Sequence, residues 1–316
     1  MARELQVRGA WGLLGIFCCS AVSFVLRSEN ERPIIGILAQ ETDFKSFQKF
    51  GSSYIAASYV KFIESAGARV VPIRLNRSNE EYDKIFHSIN GILFPGGGVD
   101  LKTSEFSRVA KIFYKKALEA NDRGDYFPVW GTCLGHQLLT YLTSGENLLI
   151  RTNTDGFIMP LNFTQGANRS KMFQDFPEDI YELIASEPVT SHFHFWSLSV
   201  QNYTENEKLR NFYKILTTNF HTVEFISTME AYRYPFYGVQ WHPEKNPFEW
   251  KNSTGIPHSS AAIKVTFFIA DFFVNEARKS SHHFSSKKDE TDVLIYNFNP
   301  VFTGTFSSFD QVYFFD

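Results

Sequence analysis

The chain has 316 residues, a net charge of −3 and 43 % hydrophobic residues. That apolar content suffices for a sizeable core and excludes general disorder. With no long basic run in the sequence, nucleic-acid binding has no electrostatic support.

In chain order, the first element reads as a leader. Arg3 and Arg8 precede an apolar run of 16 residues, 11–26. As a helix the run would reach about 24 Å, short of a hydrocarbon core of about 30 Å. Ser20, Ala21 and Ser23 supply the small residues of a cleavage site. Residues 1–23 are therefore expected to leave as a signal peptide, and 24–316 to form one catalytic domain with no membrane attachment. An uncleaved anchor is the alternative. Five N-x-[ST] sequons, at Asn76, Asn162, Asn168, Asn202 and Asn252, agree with a secretory route and predict exposed glycosylation sites.

Short apolar runs then alternate with helical patterns. Strands are predicted at 33–40 (PIIGILAQ), 69–73 (RVVPI), 91–95 (GILFP) and 127–132 (FPVWGT). Helices are predicted at 54–66, at 79–89 with Ser78 as cap, at 104–120, and from Leu134 to 142. This alternation implies an α/β fold: a mostly parallel central sheet with helices on both faces, and ligand sites at the C-terminal strand ends. Further on, 179–186, 205–216 and 261–278 have helical patterns, and 223–229 and 236–241 look like strands. The aromatic-rich remainder, with Phe298, Phe302, Phe306, Phe309, Phe314 and Phe315, is expected to be an extended tail packed on the body, since so many aromatic rings would not stay in water.

Removal of the leader would take Cys18 and Cys19 with it and leave Cys133 as the one thiol. A solitary cysteine in a secreted chain is either an inert buried thiol or a reactive one. Its setting, Gly131-Thr132-Cys133-Leu134-Gly135 between a strand and a helix, follows the logic of a nucleophile elbow, in which a strained turn demands small neighbours. The helix N-terminus favours the thiolate, and the Leu134 N–H is placed to stabilise an oxyanion. Gly97 or Gly98, in the Gly96-Gly97-Gly98 loop after the third strand, is the candidate second oxyanion donor. The candidate base is His242 in Gln240-Trp241-His242-Pro243-Glu244. In extended chain Glu244 would point the same way as His242 and orient it, completing the roles of a Cys-His-Glu triad. His192 and His194, spaced i, i+2, would make two metal ligands, but no third is near in sequence, so no metal is assigned. His282 and His283 lie in a polar stretch and read as solvated.

Together, the strand-Gly-x-Cys-x-Gly-helix, the upstream Pro-Gly-Gly-Gly and the downstream His-Pro-Glu resemble class I glutamine amidotransferase domains, whose fold is flavodoxin-like. Within that superfamily the chain is most similar to the γ-glutamyl hydrolase family, from about Pro33 onward, through PIIGILAQ, YIAASYVKFIESAGARVVP, GILFPGGGVDL, FPVWGTCLG, FWSLSV, EFISTMEAYRYPFYGVQWHPEKNPFEWKN and FFVNEARK. The resemblance implies Cys133 as nucleophile, His242 as base, Glu244 as third member and His194 as a histidine tied to substrate handling. Gln137 holds the position of the glutamine typical of amidotransferases, a candidate substrate contact. Some γ-glutamyl hydrolases carry an acidic residue there.

The resemblance further implies pteroylpoly-γ-glutamates and antifolate polyglutamates as substrates, no cofactor, a homodimer, and a lysosomal or secreted location. The residues alone reach as far as a cysteine-dependent amide hydrolase or transferase. A glutaminase or amidotransferase domain, or a non-catalytic γ-glutamyl-binding protein, are the alternatives.

Overall fold

The computed structural model describes residues 29–251 and 254–316. The leader at 1–23, Cys18, Cys19 and the sequon asparagine Asn252 lie outside the described residues. Among the described residues no helix is long and apolar enough to cross a membrane.

The centre is an eight-stranded sheet in the order Arg69–Ile73, Ile34–Leu38, Gly91–Phe94, Val129–Thr132, Phe236–Val239, Glu224–Ala231, Tyr213–Phe220, Asn162–Phe163. The first five strands run parallel, and the remaining three continue antiparallel. Every residue of Ile34–Leu38, Gly91–Phe94, Val129–Thr132 and Phe236–Val239 is buried. Near-continuous apolar strands of this kind are what a sheet covered on both faces requires. The covering helices are Ala57–Ser65 and Ser260–Arg278, which pack on each other, and Asn79–Phe86, Glu105–Asp122 and Leu134–Ser144, which pack in succession. Their starts are set by local chemistry. Ser78 and Glu81 form a reciprocal capping box, and the Ser104 and Ser259 hydroxyls accept from the Ser107 and Ala262 N–H groups, each cap worth roughly 1 kcal/mol.

Three predicted elements differ from expectation. The predicted helix at 54–66 begins only at Ala57, because Ser53–Ala56 is a strand. It is paired on one side with Gln40–Glu41 and on the other with Gln311–Phe315. The partner that makes it a strand comes from more than 250 residues away, beyond the reach of a local pattern. The predicted helix at 205–216 is broken. Asn206 accepts from the Leu209 N–H and starts a new helix, Glu207–Phe212, and Tyr213–Phe220 is a strand of the main sheet. Ile215, Thr217 and Thr218 favour that strand, and pairing with Glu224–Ala231 supplies its ladder.

The tail packs on the body as expected but is not wholly extended: Lys287–Val293 is a helix capped by Ser286. His282 is not solvated. It is 9 % exposed, with Nδ1 against the Phe86 and Ile89 carbonyls at 2.8 and 3.0 Å and Nε2 3.0 Å from the Asp125 carboxylate.

The tail strand closes a small aromatic core in which Phe47 meets Tyr54, Phe306 and Phe314 edge-on and Val312 is fully buried. Deleting 311–316 exposes the Ser53–Ala56 ladder and these rings together. Calorimetric Tm is expected to fall by at least about 5 °C; an unchanged Tm would show that the tail adds nothing to the fold.

Candidate active site

Cys133 sits between the Val129–Thr132 strand and the Leu134–Ser144 helix with φ +50° and ψ −104°. A side chain in that region costs about 1–3 kcal/mol and persists only where surrounding contacts over-determine it. Those contacts are visible. The Cys133 N–H donates to the Val239 carbonyl at 2.8 Å, and the Cys133 carbonyl accepts from Gln137 N–H at 2.9 Å. The flanking glycines are demanded by space. A Cβ on Gly131 would stand 2.6 Å from the Gly135 backbone, and one on Gly135 would stand 2.0 Å from the Phe94 carbonyl oxygen. The turn thus folds helix start onto strand end with no room for side chains at the two glycines, and leaves Cys133 on the wall of a cavity. The thiol is 4 % exposed and lies 3.8 Å from the Phe193 carbonyl. Leu134 opens the helix, so its N–H has no intrahelical acceptor and is free to face an oxyanion.

His242 follows the adjacent parallel strand, Phe236–Val239, and its own N–H is tied to the Ser191 carbonyl at 2.8 Å. Its Nδ1 lies 2.7 Å from Glu244 Oε1, both groups buried. The pairing is as expected, but its route is not. Glu244 is in the helical region, φ −70° and ψ −21°, at the start of the short helix Lys245–Phe248, so a turn brings the carboxylate back to the ring. Burial by itself would lower the His242 pKa; the Glu244 carboxylate and the Cys133 sulfur outweigh it and raise it to about 9. Burial likewise opposes charge on Glu244, and His242 overcomes it, holding the carboxyl below its ordinary range. Because the folded pKa of His242 lies above its ordinary 6.5, its contribution to stability is complete below about pH 6.5 and is lost as pH rises through about 9, whereas that of Glu244, held below its ordinary 4.5, is complete above that value and is lost as pH falls.

The Gly96-Gly97-Gly98 loop lines the same cavity as Cys133 and His242, about 1220 Å³ in volume. Gly96 is the glycine pressed against the catalytic groups: a Cβ there would meet Tyr59 Oη at 2.7 Å, His242 Cε1 at 2.8 Å and Cys133 Cβ at 3.2 Å. Its N–H is already spent on Tyr59 Oη at 2.8 Å, and its carbonyl accepts from Gln40 Nε2 at 2.7 Å. Gly97 and Gly98 are exposed on the cavity wall, which keeps them as the candidates for a second oxyanion donor.

His194 lines the cavity, yet both its nitrogens are engaged within the protein. Nδ1 lies 2.9 Å from both Thr154 Oγ1 and Ser197 Oγ, and Nε2 lies 3.1 Å from His192 Nδ1. The direction of this ladder can be assigned. Thr190 Oγ1 donates to the Met159 carbonyl, so it accepts from His192 Nε2–H; His192 Nδ1 is then the acceptor for His194 Nε2–H. Burial lowers His192 to about 3 and His194 well below 6.5, so both rings are neutral. Among the described residues no group of three His, Cys, Asp or Glu could hold a metal ion. Gln137, 6 % exposed, donates to the Trp196 carbonyl at 2.7 Å and also lines the cavity.

Of the sequon asparagines, Asn76, Asn162 and Asn168 are exposed. Asn202 is half-buried, and its amide donates to the Leu148 carbonyl at 2.8 Å.

Sequence reasoning missed Tyr59 and Gln40. Each sits where a strand or helix was read for its apolar pattern alone, and only the fold brings them to Gly96. The fully buried Tyr59 hydroxyl accepts from Gly96 N–H and sits 3.4 Å from His242 Nδ1, beside Glu244. Burial, then the Glu244 charge, raises its pKa well above 10, so it stays a hydroxyl and joins the glycine loop to the His-Glu pair. Glu244→Gln removes the main support of the His242 charge. The His242 pKa, read by NMR of its ring proton, is expected to fall below 6.5, and kcat/KM to drop on the order of 10²-fold or more. A pKa still near 9 would show that Glu244 does not set it.

A family model described as Peptidase C26 matches residues 33–244. The chain is 56 % identical to the gamma-glutamyl hydrolase of Bos taurus and 55 % identical to that of Homo sapiens, in both cases over 96 % of this chain and 97 % of the relative. It is 57 % identical to the gamma-glutamyl hydrolase of Rattus norvegicus over 91 % of this chain and 90 % of that one. The match takes in Cys133, His242 and Glu244 together with almost the whole fold around them, and the chain belongs to the γ-glutamyl hydrolase family, Peptidase C26.

Proposed function

We propose that the chain hydrolyses γ-glutamyl amide bonds of pteroylpoly-γ-glutamates and their antifolate analogues, through a γ-glutamyl thioester on Cys133. The observation that carries this reading is the strained Cys133 turn facing a buried imidazole whose Nδ1 is held 2.7 Å from Glu244. Cys133 attacks the γ-carbonyl as a thiolate. Leu134 N–H and an amide of Gly97 or Gly98 hold the oxyanion. His242, which carries its proton up to about pH 9, gives it to the departing amine. It then takes a proton from the water that cleaves the thioester, releasing the γ-carboxylate and restoring the thiolate. Glu244 fixes the ring through Nδ1, so that Nε2 is the nitrogen that exchanges protons.

The apolar leader at 1–23 and the sequons support a secretory route for one catalytic unit, 24–316, that ends in the lysosome or outside the cell. A homodimer is carried by the resemblance.

The test is product analysis on a defined pteroyl-γ-glutamate chain with the natural protein and Cys133→Ala. Shortened chains are expected from the first, and a loss of about 10³-fold or more from the second. No shortening by the natural protein, with ammonia released from free glutamine, would replace this reading by that of a glutaminase.

A further inference from the structure

Lys245 is a buried cation that the proposed mechanism leaves unused. It directly follows Glu244, is 5 % exposed, and forms part of the wall of the cavity that holds Cys133 and His242. Buried lysines are normally paired. Elsewhere even partly or fully exposed lysines find a carboxylate: Lys116 meets Asp83, Lys279 meets Glu276 and Lys288 meets Asp292. Among the described residues Lys245 Nζ makes neither a hydrogen bond nor an ion pair. It lies instead over two aromatic rings, 5.2 Å from the centre of Phe193 and 4.8 Å from that of Phe309.

Each nearby carboxylate spends one oxygen elsewhere: Glu244 Oε1 holds His242, and Glu249 Oε2 accepts from the Asp310 N–H at 2.7 Å. The other oxygens, Glu244 Oε2 and Glu249 Oε1, are buried without a hydrogen-bond partner and form no ion pair with Lys245 Nζ. The two carboxylates offset the Lys245 charge through space without binding its three N–H donors. The two rings hold the ammonium in place by cation–π attraction, and its donors are left for whatever enters the cavity.

The entering chemistry follows from the bond being cut. A chain linked through γ-amides keeps a free α-carboxylate on each unit, and its α-nitrogens are all acylated. It is a polyanion with no cation of its own. At the cavity wall a second lysine, Lys251, donates to the Ser307 carbonyl at 3.0 Å. The two acidic lining residues, Asp100 and Asp155, are both exposed, and Asp100 Oδ1 accepts from the Lys102 and Thr103 amides. Of the charged residues that line the cavity, Lys245 and His242 are the buried ones, and Lys245 is a cation with open donors.

We propose that Lys245 binds an α-carboxylate of the γ-glutamyl substrate and selects for substrates that carry one; this rests on the γ-glutamyl hydrolase reading above. Phe193 and Phe309 act as its positioning residues. Since Phe309 belongs to the C-terminal segment, that segment is part of substrate recognition as well as of the fold.

The test is steady-state kinetics on a pteroyl-tri-γ-glutamate and on analogues whose α-carboxylates are converted to carboxamides one at a time. For the natural protein, one carboxamide is expected to lower kcat/KM at least tenfold. K245M is expected to lose at least tenfold on the free acid, through KM, and to be indifferent to that same carboxamide. K245R is expected to keep the discrimination, and K245Q serves if K245M does not fold. Equal slowing of K245M on the free acid and on every carboxamide, with a displaced pH profile, would overturn the proposal and leave Lys245 as a counter-charge to Glu244 and Glu249. If the natural protein cleaves none of these compounds, the activity reading falls. Calorimetric affinities of C133A and C133A/K245M for the same set still decide Lys245: loss of the preference for one α-carboxylate supports the site, and an unchanged preference overturns it.

Discussion

The site depends on one pairing, the parallel register of Val129–Thr132 beside Phe236–Val239. Each strand ends where chemistry begins, at Cys133 and at the turn carrying His242. The register sets Thr132 opposite Val239, and the Cys133 N–H continues the ladder onto the Val239 carbonyl at 2.8 Å. Residues more than a hundred positions apart are thereby fixed by backbone hydrogen bonds, which side-chain motion cannot loosen. The glycines add the second half of the constraint. With no Cβ at Gly131 or Gly135, the helix begins in contact with the strand, and Cys133 alone absorbs the reversal as a positive φ. The strain at Cys133 is a consequence of that close approach and is held by it.

Placing His242 and Glu244 in the same buried turn has an electrostatic cost that only pairing offsets. Burial works against charge on both, and each is the other's remedy. The pair is then anchored from outside itself. Tyr59 reaches it from the helix Ala57–Ser65 and holds Gly96 at the same time, so the glycine loop, His242 and Glu244 share one buried hydroxyl. Displacing any of the three disturbs the others.

How much of this was legible in the sequence follows physical reach. The G-x-C-x-G turn, the strand before it and the helix after it were legible because their causes are local: apolar runs, small residues and cap chemistry within a few positions. The His242–Glu244 pair was legible as a pairing, though the helical turn that makes it was not. Ser53–Ala56 was misread as helix because its partner strand is at the far end of the chain. The start of Tyr213–Phe220 was misread because a helical spacing ran on past Phe212, where the helix capped by Asn206 ends and the strand begins. Tyr59, Gln40 and Lys245 carry no local signal at all. A tyrosine or lysine inside an apolar or charged run reads as packing or solvent, and only the fold assigns it a wall of the cavity.

The charges of the site form a pattern that tolerates acid. His242 keeps its proton to about pH 9, and Glu244 is held below its ordinary range. The neighbouring histidines behave in the opposite sense: burial takes His192 down to about 3 and His194 well below 6.5. Between roughly pH 5 and pH 8, therefore, none of these four groups changes charge. The division comes from partners. The histidine with a carboxylate is charged, and those given only hydroxyls, carbonyls or another imidazole are neutral. His194 belongs to the second kind, and with both nitrogens bonded it is suited to hold the Phe193–Trp196 wall in place and not to exchange protons. One cavity wall thus sets a neutral His194 beside a charged His242.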